Sequence, residues 1–359
     1  MSKDRIKSLL GITAMVAAAA SIIAVSYITG QKKREYKSYD FAMGTALSAD
    51  IYTEGLDEAK EKTFNQRLFQ EIKKLDTKVI SWRTSDSEVY NINNRKKGYD
   101  NVPVSKDLKE LIELSLDIGN NTDGALDITL RPVLNVWGIE NETDSEDFSI
   151  PDKSLLEEER KKCGFEKIKI ENDRMLIPDD MILDFGAVGK GYALDKARLF
   201  LKQENRVKGA VISVGGSIMT YGVRPDGEKF SIGIRDPEGT EGDVMGVLNV
   251  GEAFISTSGS YEKYKIKDGK IYHHIIDRNT LYPSQTGLKS VTVIASNGAL
   301  SDGLSTALFN LGVEKSFPVL EKYNAEAIFI TEDNKVIVTD GIKNDFTICA
   351  DGYKLYSDK

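Results

Sequence analysis

Three short segments bring together residue types that could do chemistry. The first is Leu183-Asp184-Phe185-Gly186-Ala187-Val188-Gly189-Lys190-Gly191-Tyr192, which reads as a strand end turning through glycines into a helix. Such a turn presents backbone N–H groups at a helix N-terminus, and a lysine there adds a point charge suited to phosphate. Only two residues separate Gly186 from Gly189 and no Ser or Thr follows Lys190, so this is not a Walker loop. No His-Arg-Asp loop accompanies Asp-Phe-Gly, so it is not a kinase motif either. On spacing alone, a phosphate cradle and an ordinary structural turn both fit.

The second segment, Tyr272-His273-His274-Ile275-Ile276-Asp277, holds the only two histidines of the chain. Neighbours on a strand face opposite ways, so one histidine at most enters a shared site with Asp277. A zinc centre lacks ligands, because no further histidine and no paired cysteines complete the set. A general base for a hydroxyl and a satisfied structural histidine both remain open. The third segment, Ser301-Asp302-Gly303-Leu304-Ser305-Thr306, reads as the opening of a helix. There Asp302 and Thr306, four apart, share one face and offer hard oxygen ligands of the kind Mg²⁺ takes. A simple helix cap at Asp302 fits as well.

The elements that must position these groups are mixed. Phe64, Leu68, Phe69, Ile72, Leu75 and Val79 recur at helical spacing, as do Leu108, Leu111, Ile112 and Ser115 after a capping Ser105. Segments 210–214, 290–295, 327–331 and 335–339 are short and mostly β-branched, as strands are. Further helices are expected over 190–205 and 302–309. Strands and helices do not alternate in steady βαβ units, which argues for an α+β fold.

Taken in order, these segments resemble the ApbE family of FAD:protein FMN transferases. The match runs from Phe41-Ala42-Met43-Gly44-Thr45 through 81–93, Ala125-Leu126-Asp127-Ile128-Thr129 and Asn135-Val136-Trp137-Gly138. It continues through 184–195, Val214-Gly215-Gly216, Gly233-Ile234-Arg235-Asp236-Pro237, Thr257-Ser258-Gly259, 274–283, 290–293 and 299–307. The resemblance implies that FAD, the substrate, is held at Met43, Ala125, Leu126, Asp127, Asp184, Lys190 and Ile276. It implies Mg²⁺ on the Ala187 carbonyl and the side chains of Asp302 and Thr306, with His274 placed near the acceptor hydroxyl. It also implies one compact α+β domain related to the T-fold. The acceptor oxygen would attack the FMN-side phosphorus and AMP would leave, with His274 and Asp302 as the catalytic pair. No Asp-x-Ser/Thr-Gly-Ala-Ser/Thr acceptor motif occurs in this chain, so the Ser or Thr that accepts FMN belongs to another protein. Two rivals stand beside this reading: a Mg²⁺-dependent FAD pyrophosphatase, with water as acceptor, and a flavin-binding protein without catalysis.

The sequence departs from the family pattern in three places. Asp277-Arg278-Asn279-Thr280-Leu281-Tyr282-Pro283 lacks the Pro and Gly that normally follow the aspartate, which points to a differently shaped turn. Gly189 replaces a more usual alanine. Around Trp82 and Arg83 no tyrosine stands where the family places one near adenine.

The chain has 359 residues, 40% of them apolar, enough to bury a sizeable core. Its net charge of −8 provides no basic footprint, so nucleic acid is excluded as a partner. Residues 9–28 are an uncharged apolar run preceded by Lys3, Arg5 and Lys7, long enough to cross ~30 Å of hydrocarbon. The run exceeds a usual signal core and lacks a small-x-small cleavage site, which favours an uncleaved membrane anchor over a cleaved signal peptide. The expected organisation is a short cytoplasmic segment over 1–8, the span over 9–28, a linker over 29–39 and an extracytoplasmic domain over 40–359. Cys163 and Cys349 are the only cysteines. Neither follows the span to carry a lipid, and both are expected in the core.

Overall fold

The computed structural model describes residues 36–140, 148–240 and 242–356. β1 (Tyr36–Ala42) and β2 (Thr45–Thr53) form a hairpin, and β1 takes in the last residues of the expected linker. The loop of the hairpin is Met43 and Gly44, with φ of 54° and 70°. Left-handed backbone at both positions is the type I′ geometry that matches strand twist, and it sets Met43 at the tip, partly buried against the core. α1 (Glu58–Leu75) buries Leu68, Phe69, Ile72 and Leu75 as the periodicity requires, then widens over Asp76–Ile80, which holds Val79. α2 (Glu88–Asn93), β3 (Asn101–Pro103) and α3 (Lys106–Asn121) follow, and Ser105 caps α3 by accepting from the Leu108 N–H at 3.3 Å. α4 (Arg131–Trp137), α5 (Lys153–Arg160), β4 (Lys169–Glu171) and β5 (Arg174–Leu176) complete the first half.

The second half begins with α6 (Gly189–Leu201), which stops short of the expected residue 205. Its strands are β6 (Val207–Val214), β7 (Ser217–Gly222), β8 (Phe230–Arg235), β9 (Val244–Val250), β10 (Ala253–Gly259), β11 (Tyr264–Lys267), β12 (Lys270–His273) and β13 (Leu288–Ala295). After α7 (Gly298–Leu311) and α8 (Val313–Tyr323) come β14 (Glu326–Thr331), β15 (Lys335–Val338), β16 (Phe346–Ile348) and β17 (Lys354–Tyr356). Nine strands make one sheet in the order β1-β2-β6-β7-β10-β13-β14-β15-β17, antiparallel throughout except β15 with β17. This is the mixed, non-alternating arrangement expected of an α+β fold.

The sheet is covered on both faces, which is why β6 and β13 are buried along nearly their whole length. One face packs the helices through Leu68, Ile72, Leu111, Leu194, Ala307 and their neighbours. The other packs the small sheet of β8, β9 and β16 through Ile232, Ile234, Leu248, Ile328 and Ile330. A third cluster, built on Trp137, Phe148, Cys163, Tyr272, Ile276 and Leu281, lies beside the second candidate segment. Both cysteines are free; Cys163 is buried as expected, but Cys349 is exposed, because it follows the short edge strand β16 rather than facing a core. The apolar run over 9–28 lies outside the described residues. Among those described, no helix is long and apolar enough to cross a membrane.

Candidate active site

The glycine-rich turn and α7 form one corner. No strand precedes the turn: residues 181–185 carry no regular structure. Instead the Asn93 amide pins Leu183, donating to its carbonyl and accepting from its N–H, both at 2.8 Å. A side chain thus does the holding that a neighbouring strand was expected to do. The Asp184 N–H donates to the Ile128 carbonyl at 2.8 Å, and Asp184 Oδ1 accepts from the Gly186 N–H at 2.8 Å, closing the turn. α6 then crosses α7 at two glycines. A β-carbon on Gly191 would lie 1.9 Å from the Gly298 carbonyl oxygen, and one on Gly298 would lie 2.1 Å from that of Gly191. Only glycine at both positions permits this approach.

That crossing places Asp302 against the start of α6. Asn297 caps α7 by accepting from the Leu300 N–H at 2.8 Å, and Asp195 accepts from the N–H groups of Gly298 and Ala299 at 2.7 and 2.9 Å. Asp302 therefore lies inside the helix, not at its cap, and is almost fully buried. Its Oδ2 accepts from the Gly191 N–H at 2.9 Å, and its Oδ1 accepts from Ser217 Oγ at 3.1 Å and lies 3.7 Å from Lys190 Nζ. Gly191 is the third residue of α6, so its amide has no acceptor within the helix, and Asp302 supplies one. Lys190 Nζ also donates to the Gly186 carbonyl at 3.2 Å. Burial opposes the lysine charge, but Asp302, Glu262 and Asp184 outweigh it and hold the ammonium above its ordinary pKa. Thr306, one turn beyond Asp302, shares a hydrogen bond with Ser258 Oγ of β10 at 3.1 Å.

A charged chain runs from this corner to His274. Arg131 pairs with Asp184 Oδ2 at 3.2 Å and with Glu140, and Glu140 Oε1 accepts from Lys263 Nζ at 2.7 Å. Burial alone would raise the Glu140 carboxyl; Lys263 and Arg131 overcome it and lower the pKa to about 2. His274 sits just beyond β12, and its N–H donates to the Lys263 carbonyl at 3.1 Å while Nδ1 lies 3.2 Å from the same oxygen. Burial and then the Lys263 charge lower its pKa to about 4, so the ring is neutral at physiological pH. His273 points into packing, with Nε2 3.0 Å from the Ser284 carbonyl and its ring edge-on to Phe309.

Asp127 is turned elsewhere. Its Oδ1 accepts from Thr129 N–H and Oγ1 at 2.9 and 2.6 Å, and its Oδ2, without a hydrogen bond, lies 3.6 Å from Arg278 Nε. Burial raises its pKa against the pull of Thr129 and Arg278. The carboxylate thus stabilises its own loop. Met43 is held through its N–H, which donates to Asp76 Oδ2 at 2.8 Å, and its Cε reaches within 3.5 Å of the space beside Gly189.

The ApbE family profile matches residues 43–329. This chain belongs to the ApbE family. Among its curated relatives is the FAD:protein FMN transferase of Klebsiella pneumoniae strain 342, 31% identical over 298 residues that span 82% of this chain and 83% of the relative. The Escherichia coli K12 protein of the same name is 31% identical over 296 residues, 81% of this chain and 82% of its own. The crystal structure of the ApbE protein from Thermotoga maritima matches with a TM-score of 0.78 at 28% identity, covering 87% of this chain and 99% of that one. The apo flavinyl transferase ApbE of Pseudomonas stutzeri matches at 0.76 and 26%, covering 89% and 98%.

The departures from the ApbE pattern now have local explanations. Leu281 adopts φ 65°, the left-handed conformation for which glycine is the usual choice. It is held there by full burial, by its N–H on the Asp277 carbonyl at 2.8 Å, and by its carbonyl accepting from Trp137 Nε1 at 2.7 Å. Arg278, in place of proline, pairs with Glu166 at 3.1 Å and lies over the Phe165 ring. At position 189 a β-carbon would meet Ile80 Cδ1 at 2.9 Å, so Gly189 accommodates that isoleucine. The Trp82 ring is stacked by Arg131, whose guanidinium lies 3.8 Å from its centroid, and by Arg83 at 4.1 Å.

Arg131, Glu140 and Lys263 escaped the sequence reading, because an ion pair between residues 123 positions apart leaves no spacing signal. Asn310 also escaped it, although extending the four-residue step from Asp302 and Thr306 reaches it directly.

Proposed function

We propose that this chain transfers the FMN half of FAD to a Ser or Thr hydroxyl of another protein, with Mg²⁺, releasing AMP. The observation that carries this reading is the corner where Lys190 and Asp302 meet at the start of α6, with Thr306 one turn further along α7, since a site that only bound flavin would need neither a hard-oxygen pair nor a base. Among the described residues no cluster of three or more His, Cys, Asp or Glu could cage a metal. The donor set here is one carboxylate, one hydroxyl and one carbonyl. That set fits Mg²⁺, which keeps several waters and takes its other ligands from substrate phosphates. When bound, Mg²⁺ would offset charge on the pyrophosphate oxygens.

The chain's own residues do the remainder. Lys190 adds a cation beside the same oxygens, held in place by Asp302 and the Gly186 carbonyl. Met43, Asp184, Ile276 and the backbone of Ala125, Leu126 and Asp127 hold FAD. His274, neutral and backed by Lys263 and Glu140, takes the proton as the acceptor oxygen bonds to the FMN-side phosphorus and the phosphorus–oxygen bond to AMP breaks. In-line positioning supplies the rest, because a neutral hydroxyl is a weak nucleophile. The run over 9–28 would anchor the enzyme in the cell membrane with this domain outside the cytoplasm, facing a membrane-associated acceptor.

Mass spectrometry of a protein bearing the acceptor motif, incubated with this domain, FAD and Mg²⁺, tests the reading. One added FMN per acceptor with equimolar AMP is expected. Free FMN and AMP with an unmodified acceptor would make water the acceptor and overturn the transferase assignment. Protease added to intact cells should digest the domain, and protection would place it in the cytoplasm.

A further inference from the structure

Asp302, Thr306 and Asn310 stand four residues apart on α7, one face of a single rod. Asp302 bonds the start of α6 and Thr306 bonds Ser258 of β10, but Asn310 turns to two loops instead. Its Nδ2 donates to the Ala125 carbonyl at 2.9 Å and lies 3.4 Å from the Ile276 carbonyl, so one amide spans two loops about 150 residues apart in sequence. With two carbonyls in front of it, the side chain must present its NH₂ there, because the reverse orientation would set oxygen against oxygen. Its Oδ1 is buried without a partner. A buried polar side chain left half-satisfied carries a cost of desolvation, and an apolar residue would fill the same space without it.

We infer that Asn310 is a positioning residue for flavin: it fixes the separation of the Ala125 and Ile276 segments, between which the substrate's flavin portion is gripped. This rests on the assignment of those segments to FAD. The same helix then ties two distances together, since α7 carries the phosphate-side carboxylate at one end and the flavin-side spacer at the other. Loss of the spacer loosens the grip on FAD while leaving the phosphate corner, and so the rate at saturation, in place.

Asn310→Leu, similar in size and without the amide, and Asn310→Ser, smaller and too short to span both carbonyls, are the test variants. FAD affinity, measured by quenching of flavin fluorescence, should fall about five- to tenfold in both. kcat at saturating FAD should stay within about twofold, and the melting temperature should hold. A merely structural role would lower the melting temperature and move kcat and KM together. Unchanged FAD affinity in a folded variant, or a fall in kcat with affinity intact, overturns the proposal while the transferase reading stands. Failure of the unaltered protein to bind FAD removes the flavin reading and this inference with it.

Discussion

The corner where Lys190 meets Asp302 and the rim beyond His274 are held by different kinds of force. At the corner, two helices touch backbone to backbone at Gly191 and Gly298, and Asp302 accepts from a main-chain amide. On the rim, the turn after His274 stands on side chains: Arg278 on Glu166 and Phe165, and a left-handed Leu281 wedged beneath Trp137. A backbone contact has no slack, so the corner admits almost no substitution. A side-chain scaffold can be rebuilt from other side chains, and the rim carries the longest of this sequence's departures from the ApbE pattern, with Gly189 beside the corner a single small one. The turn holds a left-handed leucine at position 281, because burial of its side chain outweighs the backbone strain.

Breaking the corner should have the largest effect. Gly191→Ala drives a methyl group into the Gly298 carbonyl and must part the helices, a cost of about 3 kcal/mol or more. Urea unfolding would show it, and a variant within 1 kcal/mol of the parent, well inside that cost, would mean that the helices slide freely. Asp302→Asn keeps the shape and removes the charge, so FMN transfer should fall by about 10²–10³-fold with the fold intact. Near-normal turnover at ordinary Mg²⁺ concentration would remove Asp302 from the metal site.

The boundary between the two regions is His274. His274→Ala should lose about 10²–10⁴-fold in rate and little FAD affinity, whereas His273→Ala should affect stability more than rate. Activity needs the neutral ring, so it fails as pH drops through a pKa near 4. Lys263→Met removes a charge that lowers this pKa and frees Glu140 to raise it, so the acid limb should move to higher pH. A limb that stays put would separate His274 from the base role.

The smallest effect belongs to the rim. Leu281→Gly relieves about 1 kcal/mol of left-handed strain but empties a buried site worth about 2–5 kcal/mol, so net loss is expected, with activity retained. A gain in stability would show that strain outweighs packing there.

The sequence disclosed what periodicity and local spacing encode. The two long helices and the central strands follow from patterns a few residues long, whereas Lys190 and Asp302 are joined only by the resemblance to the ApbE family. It misread Leu183-Asp184 as a strand end because the apolar run Met181-Ile182-Leu183 before a glycine turn looks the same whether a neighbouring strand or Asn93 holds it. It placed the start of α7 too late because Gly298 has low helix propensity, and it is the caps from Asn297 and Asp195 that begin the helix there. The Arg131–Glu140–Lys263 chain was invisible, since its members meet only after folding.

The two free thiols make the domain its own reporter of unfolding. Cys163 is buried and its thiol is pushed up to about 12, so it stays protonated and sheltered, while Cys349 is exposed. A thiol-directed label should therefore add once per native molecule and twice per unfolded one, and the second addition would time the opening of the cluster beneath the rim.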